Sequence, residues 1–522
     1  MPEVSRFCVV SYTQSCKFSD FSSAAMTVSV NYPEEFAGFA VLDTKDWNKP
    51  KYISYKPKTF GDHDIDIEIE CCGLCGSDIM TAMGGEGWGE IKLPQVVGHE
   101  IIGKVVNVGP KVSLHKIGDR VGLGAQAFGC LSCRRCKENN EQYCKNSVTT
   151  YDGVYPDGYV SQGGYASHVR AHEHFCFAIP DAIKSTEAAS LCCAGLTVYS
   201  PLKRYIPTDL PNGEKPKVAV LGLGGLGHLA VQIAAALGAQ PYVFSRTDAK
   251  KEQALQLGAK GFVATGTKGW ADEYFDQFDL ILNCAISLSG LDLDSFLSIL
   301  KVQGRFVSVG LPAVEEKYDV SPFTFFSNGS SLCSSNLGSR KEMLDLLDLC
   351  VKHDIRPWVE EIPISEEGCN IALTRAWKGD VRYRFVFTEF HKAFGTGNVY
   401  PGEQHIAKVK VLHNREFREH LSLEHFDHSE CYFFPGLRGA NFVEQRRVLT
   451  EIALFHTPNK SNSVVEKIAV CLLFGHRRIQ HRRRRESHAK VHGPSAFSIG
   501  SNGLGIHQLR SSNDVDQVEM VV

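Results

Sequence analysis

Between Lys217 and Gly238 the chain reads as a short apolar strand, a glycine loop (Gly222-Leu223-Gly224-Gly225-Leu226-Gly227) and an alanine-rich helix from His228 that stops at Gly238. No other stretch restricts the fold as strongly. A Gly-X-Gly-X-X-Gly pattern alone is weak, but between a strand and a helix, inside a βαβ-sized unit, it marks a dinucleotide site. The glycines permit a tight turn and let backbone N–H groups at the helix N-terminus approach a pyrophosphate. The same grammar continues downstream, with a strand at 241–245, a charged helix at 248–258, and strands at 261–264, 279–284 and 304–310. Strand alternating with helix implies an α/β fold with a doubly wound parallel sheet.

Upstream, residues 32–180 read as β-rich and glycine-rich. Residues 65–70 alternate Ile with Asp or Glu, the pattern of a half-buried strand. Cys130, Cys133, Cys136 and Cys144 lie within 15 residues, close enough to wrap one tetrahedral zinc as a closed, structural site. A second, open set is suggested by Cys75-Gly76-Ser77-Asp78, Gly98-His99-Glu100 and Cys192-Cys193. A catalytic zinc takes three protein ligands and leaves one position open, and a nearby carboxylate orients the histidine.

A net charge of −3 excludes a global field for nucleic acid or anionic membranes. The residues before Met26 lack the apolar core of a secretory signal, so a cytoplasmic, reducing compartment is expected, with the 18 cysteines free or metal-bound. The apolar run 468–474 is too short to span a bilayer. From about residue 396 the composition shifts. That segment carries 11 of the 20 histidines, and six arginines fall between Arg477 and Arg485, which reads as a solvated, disordered tail.

With these pieces assembled, the chain resembles the zinc-dependent medium-chain alcohol dehydrogenases, and more narrowly the cinnamyl alcohol dehydrogenase branch with its fungal NADP-dependent broad-specificity members. Further motifs carry the resemblance: Asp157-Gly158-Tyr159-Val160-Ser161-Gln162-Gly163-Gly164-Tyr165-Ala166, Gly195-Leu196-Thr197-Val198-Tyr199-Ser200-Pro201 and Gly379-Asp380-Val381-Arg382-Tyr383-Arg384-Phe385. It covers about residues 31–392 and implies a Rossmann nucleotide domain beside a split, β-rich GroES-like catalytic domain. The expected division is an N-terminal extension at 1–25, a catalytic part at 26–185, an NADP-binding part at 186–340, a catalytic return at 341–395 and a disordered extension at 396–522.

The resemblance implies that Cys75, His99 and Cys193 bind the catalytic zinc, with Glu100 as the alternative ligand and Asp78 orienting His99. Alignment on Gly195-Leu196-Thr197 selects Cys193 over Cys192. Thr197 would back the nicotinamide ring, with Gly310, Ser335 and Asn336 nearby. The cofactors implied are two zinc ions per chain and NADP(H). The partners are a small aldehyde or alcohol and a second copy of the chain, with neither membrane nor nucleic acid. Zinc would polarise an aldehyde oxygen, NADPH would supply hydride, and Ser77 would hand over the proton. Family members commonly carry a histidine relay where this chain has Met80.

NAD enzymes place an acidic residue about 20 positions beyond the glycine loop. Here Ser245 stands 23 positions past Gly222, followed by Arg246 and Lys250, a set that attracts a 2′-phosphate; Asp248 is a counter-signal. Two other readings stay open at this point: a zinc-independent quinone or enoyl reductase, and a noncatalytic NADPH-binding sensor or structural protein.

Overall fold

The computed structural model of the chain describes residues 33–395, so the expectations for residues 1–25 and 396–522 lie outside it. Its first half is mostly strand: β1 (Phe36–Val41), β2 (Lys51–Tyr55), β3 (Asp64–Gly73), the short helix α1 (Gly76–Ala82), β4 (Gln95–Val96), β5 (Glu100–Val108), β6 (Arg120–Leu123), β7 (Gln126–Phe128), the one-turn helix α2 (Arg134–Lys137), β8 (Val148–Thr149), β9 (His168–His172) and β10 (Cys176–Ala178). Then come α3 (Ser185–Ser190), one widened, π-type turn (Leu191–Gly195) and α4 (Leu196–Tyr205).

From β11 (Lys217–Leu221) the chain alternates: α5 (Gly227–Ala236), β12 (Gln240–Ser245), α6 (Lys251–Gln256), β13 (Gly261–Ala264), β14 (Phe278–Asn283), α7 (Leu293–Ser298), β15 (Leu300–Ser308) and β16 (Ser331–Ser334). These six strands form one parallel sheet in the order β13-β12-β11-β14-β15-β16. The strand order reverses beside β11, which is where a doubly wound sheet opens its binding crevice. The strands are apolar on both faces because both are covered. Val218 and Val220 join the core shared with α4 and α5, whereas Ala219 and Leu221 join a second core with Phe244, Ile281 and Phe306.

The chain then returns through α8 (Arg340–His353), β17 (Val359–Pro363), α9 (Glu366–Trp377), β18 (Arg384–Thr388) and α10 (Phe390–Phe394). β17 and β18 complete the catalytic sheet, ordered β10-β6-β5-β3-β18-β17 with β9 also on β3. α8 starts on a capping box, in which Ser339 Oγ accepts from the Glu342 N–H at 3.2 Å and Glu342 Oε2 accepts from the Ser339 N–H at 2.9 Å. Its buried Met343, Leu346 and Leu347 share a core with Leu196, Val198 and Val220. That core also takes in Cys71, Ile102 and Phe177, so the catalytic sheet and the nucleotide sheet are packed against common helices.

One expectation needs correcting. β3 is not half-buried, because Asp64 and Asp66 are buried beside the isoleucines and only Glu70 is exposed on this strand. β3 has β5 on one side and β9 on the other over its first half, and β9 supplies the compensating cation. Arg170 Nε donates to Asp66 Oδ1 at 2.7 Å and its Nη2 to Oδ2 at 3.1 Å, the two-pronged pairing that lets a carboxylate be buried. No helix among the described residues is long and apolar enough to cross a membrane.

Candidate active site and metal centres

Three loops converge on the first cluster. Cys75 ends the run out of β3 and opens α1, where its N–H donates to Asp78 Oδ2 at 2.8 Å. His99 precedes β5, on a turn whose Gly98 has φ +101°, a conformation that favours glycine. Cys193 lies in the π-type turn between α3 and α4, a local widening often found at functional sites. There the two adjacent cysteines part company. Cys193 faces the cluster, while Cys192 lies in the hydrophobic core.

The ligand atoms of Cys75, His99, Glu100 and Cys193 lie within 4.8 Å of one another, and all four residues are buried. His99 Nδ1 is 3.1 Å from Asp78 Oδ1, which leaves Nε2 facing the thiols, 3.1 Å from Cys193 Sγ. Hydrogen bonding with Cys193 holds the Cys75 thiol well below the usual thiol range against the opposing effect of burial, and the charges of His99 and Arg384 add to the pull. Burial lowers the His99 pKa, but Asp78 and Cys75 outweigh it and the net is well up. Burial pushes the Glu100 carboxyl up to about 7 against the pull of Arg384. Glu100 Oε2 has no hydrogen-bond partner although it is buried. Two thiols, an imidazole held by a carboxylate and an unpartnered carboxylate oxygen are a donor set that suits zinc.

Arg384 was not singled out from the sequence. At the start of β18, it is buried and pairs with Glu100. Its side chain also fills the space beside Gly225, where a Cβ would collide with it. One arginine therefore touches both the thiol cluster and the glycine loop. The available signal was a charge set directly against the apolar run Phe385-Val386-Phe387, since arginine is almost never fully buried unless paired.

The second cluster is self-contained. Neighbouring sulfurs of Cys130, Cys133, Cys136 and Cys144 stand 3.5 to 4.0 Å apart. Four thiolates at zinc–sulfur distances of about 2.3 Å in a tetrahedron place the sulfurs roughly 3.8 Å apart, whereas a disulfide needs about 2.0 Å. The donor set suits zinc with no open position.

In the nucleotide crevice, Gly222 has φ +89° and follows β11, and a Cβ on Gly227 would strike the Gly222 carbonyl, so the loop closes tightly only on glycine. Leu223 is buried and Leu226 half-buried beneath the loop. Gly310 follows β15, and Ser335 follows β16 with its N–H donating to the Ser308 carbonyl at 3.2 Å. Asn336 leans to the cysteine lobe, its N–H donating to Tyr143 Oη at 3.1 Å. Thr197 is buried in the first turn of α4. Ser245 ends β12 and Arg246 is exposed just beyond it. Lys250 folds back instead, its Nζ donating to the Leu223 carbonyl at 2.7 Å and lying 5.6 Å over the Tyr383 ring.

Ser77 Oγ is 3.5 Å from Cys75 Sγ. Met80 contributes its backbone carbonyl to the following loop, accepting from the Trp88 N–H at 3.2 Å. Trp88 in turn donates its indole N–H to the Pro312 carbonyl at 3.2 Å, joining that loop to the segment after β15.

Comparison with known proteins agrees with this architecture. Residues 61–181 match the alcohol dehydrogenase GroES-like domain, and residues 225–352 match the zinc-binding dehydrogenase domain. The chain is 50% identical over 369 residues to NADP-dependent alcohol dehydrogenase 6 of Saccharomyces cerevisiae, covering 70% of this chain and 99% of that one. NADP-dependent alcohol dehydrogenase C 1 of Mycolicibacterium smegmatis is 40% identical over 331 residues, 63% of this chain and 91% of the relative. Among solved structures, the cinnamyl alcohol dehydrogenase SbCAD4 of Sorghum bicolor superposes with a TM-score of 0.63 at 30% identity, covering 68% of this chain and 97% of that one. The Helicobacter pylori CAD complexed with NADP(H) does so with a TM-score of 0.61 at 32% identity, covering 68% and 98%. A relative half identical along nearly its whole length, together with this fold, makes the chain a member of the zinc-type medium-chain alcohol dehydrogenase family.

Proposed function

We infer that the protein is an NADP-dependent alcohol dehydrogenase working as an aldehyde reductase on aromatic or medium-chain aldehydes of the cinnamaldehyde type. The observation that carries this reading is Arg384, which joins an open two-thiol, one-imidazole cluster to a dinucleotide loop. In this reading Cys75, His99 and Cys193 hold the catalytic zinc with Glu100 in reserve, and Cys130, Cys133, Cys136 and Cys144 hold a structural one. Bound zinc supplies Lewis-acid polarisation of the aldehyde oxygen, and bound NADPH supplies the hydride. The chain's own residues do the rest. Asp78 fixes the imidazole so that Nε2 faces the thiols. The glycine loop and Arg384 receive the pyrophosphate, and Thr197, Gly310, Ser335 and Asn336 border the nicotinamide end. Ser77, backed by a ribose hydroxyl of the cofactor, would pass a proton to the alcohol oxygen, and water would resupply that proton because Met80 offers no exchangeable one. A positioned donor contributes about 10²–10⁴-fold. Ser77→Ala is therefore expected to lower kcat/KM by a factor in that range, and an unchanged rate would remove Ser77 from the path.

The cofactor preference rests on Ser245, Arg246 and Lys250. Purified protein should consume NADPH with cinnamaldehyde, and kcat/KM for NADPH should exceed that for NADH. Arg246→Ala should narrow that ratio by roughly tenfold or more, the worth of a charge-assisted hydrogen bond to phosphate. Equal use of both cofactors by the unaltered protein would overturn the preference, and no turnover of any aldehyde would overturn the reading as a whole.

The domain division follows the same reading, with a catalytic part at 26–185, a nucleotide part at 186–340 and a return at 341–395. A homodimer is proposed through the edge of the nucleotide sheet. Its edge strand β16 is preceded by Phe323 and Phe326, which are 84% and 88% exposed. Sedimentation at about twice the 57.7 kDa chain mass would support it, and a monomer would refute it. A cytoplasmic location is proposed with it, testable by cell fractionation.

A further inference from the structure

Tyr165 lies outside the thiol cluster, yet the loop carrying His99 is shaped around it. Its side chain is completely buried. Its N–H donates to the Val97 carbonyl at 3.0 Å, and the N–H of Gly164 donates to the Gly98 carbonyl at 2.7 Å, so the segment before β9 is laced to the turn before β5. A Cβ on Gly98 would run into the Tyr165 ring, which means the backbone one residue before His99 rests on that ring. The ring also packs against Phe387 of β18, with centroids 4.7 Å apart in a T-shaped arrangement. Core packing would account for all of this with a phenylalanine. The hydroxyl is what remains to be explained.

That hydroxyl donates to Asp78 Oδ2 at 3.0 Å, in a fully buried setting. The same oxygen accepts from the Cys75 N–H at 2.8 Å, while the other, Oδ1, faces His99 Nδ1 at 3.1 Å. The carboxylate is thus clamped on one oxygen, and its other oxygen stands at ion-pair distance from the imidazole. Without the hydroxyl Oδ2 keeps only the Cys75 N–H, the carboxylate is freer about its broad and soft terminal torsion, and the ring it orients is less firmly directed.

We propose that Tyr165 is a positioning residue for aldehyde reduction: its hydroxyl locks the Asp78 carboxylate, which sets the direction of His99 Nε2 toward the two thiols. The proposal rests on the reading of this cluster as a zinc site. Partners one layer behind a metal ligand typically change metal affinity or activity by 10- to 100-fold when removed. The effect should fall on the metal and on kcat, and leave NADPH binding alone.

The test is Tyr165→Phe in the full-length protein, which keeps the ring and deletes the hydroxyl. Loss of the catalytic zinc to a chelator should become about 10- to 100-fold faster, with the four-cysteine zinc released at its original rate. The absorption spectrum of the cobalt-substituted cluster should shift, kcat should fall by a similar factor, and the NADPH Kd should stay the same. Adding Tyr165→Phe to Asp78→Asn should produce little further loss beyond that of Asp78→Asn alone, since the hydroxyl acts through that carboxylate. Chelation rate, cobalt spectrum and kcat all within twofold of the unaltered protein would overturn the proposal. A Tyr165→Phe chain that fails to fold would overturn it too, because the hydroxyl would then be serving the core. The underlying zinc reading fails separately, if the unaltered protein carries no metal at Cys75, His99 and Cys193.

Discussion

Cys193→Ala is expected to abolish measurable aldehyde reduction while the protein stays folded. In the proposed site this residue supplies one of two thiolates, and His99 Nε2 stands 3.1 Å from its sulfur. Without it a metal would keep one thiol and one imidazole, with only Glu100, already engaged by Arg384, to stand in for the lost thiolate. The lost polarisation is worth several kcal/mol of transition-state stabilisation, so kcat/KM should drop by about 10³-fold or more. Folding should survive, because the substitution removes one sulfur from a segment anchored on both sides by buried Ala189, Leu191 and Leu196. Zinc content should fall from about two to about one per chain, with NADPH still bound at the glycine loop. A variant retaining a tenth of the original rate would remove Cys193 from the chemistry.

Cys136→Ala should do the reverse damage. Between β6 and β9 the chain has little regular structure: the pair β7 and β8 is three and two residues long, and α2 is a single turn. Four sulfurs at 3.5 to 4.0 Å are the main cross-links of that lobe. Structural zinc in small modules contributes about 10 kcal/mol or more to folding. The lobe also holds the nucleotide side, since Glu141 Oε1 accepts from the Arg340 N–H at 2.6 Å and Asn140 Oδ1 from Arg204 Nη1 at 3.1 Å. Losing a sulfur should therefore lower Tm by on the order of 10 °C or more, together with one zinc, as read by calorimetry under reducing conditions. An unchanged Tm would mean that the lobe holds its shape without metal.

Local pattern made the nucleotide half legible. Five of its six strands fall where apolar runs alternate with helical stretches, and β13 lies at the expected 261–264. The sixth, β16, was missed because Ser331-Leu332-Cys333-Ser334 is short and half polar, as an edge strand often is. α4 contains Pro201, a helix breaker in sequence terms, yet the helix runs through it, Pro201 being buried. α9 lies in the return segment at 341–395, for which no helix was expected at this point; its start is marked by Ser365, whose Oγ accepts from the Gly368 N–H at 2.9 Å. The cysteines, His99 and the glycine loop could be found because metal ligation and phosphate approach need particular residue types. Arg384 and Tyr165 could not be found by such rules. Each acts through a partner hundreds or tens of positions away, Glu100 for the one and Asp78 for the other, and only the folded sheet brings them together.

Lys250 needs a rearrangement to play its expected part. Sequence spacing assigns its charge to a 2′-phosphate, but the ammonium rests on the Leu223 carbonyl, half-buried over an aromatic ring. Burial, and then Arg382, lowers its pKa. A phosphate arriving there must draw the ammonium away from the loop carbonyl or share it, so more of the discrimination is expected from exposed Arg246.

The central claim is that aldehyde reduction depends on zinc held by Cys75, His99 and Cys193. It is tested most directly by counting zinc while following NADPH-dependent cinnamaldehyde turnover through stepwise chelation and zinc restoration. The protein should begin with about two zinc ions per chain, lose activity in proportion to the loss of one of them, and recover when that one is returned. Full turnover from protein stripped of that zinc would contradict the account.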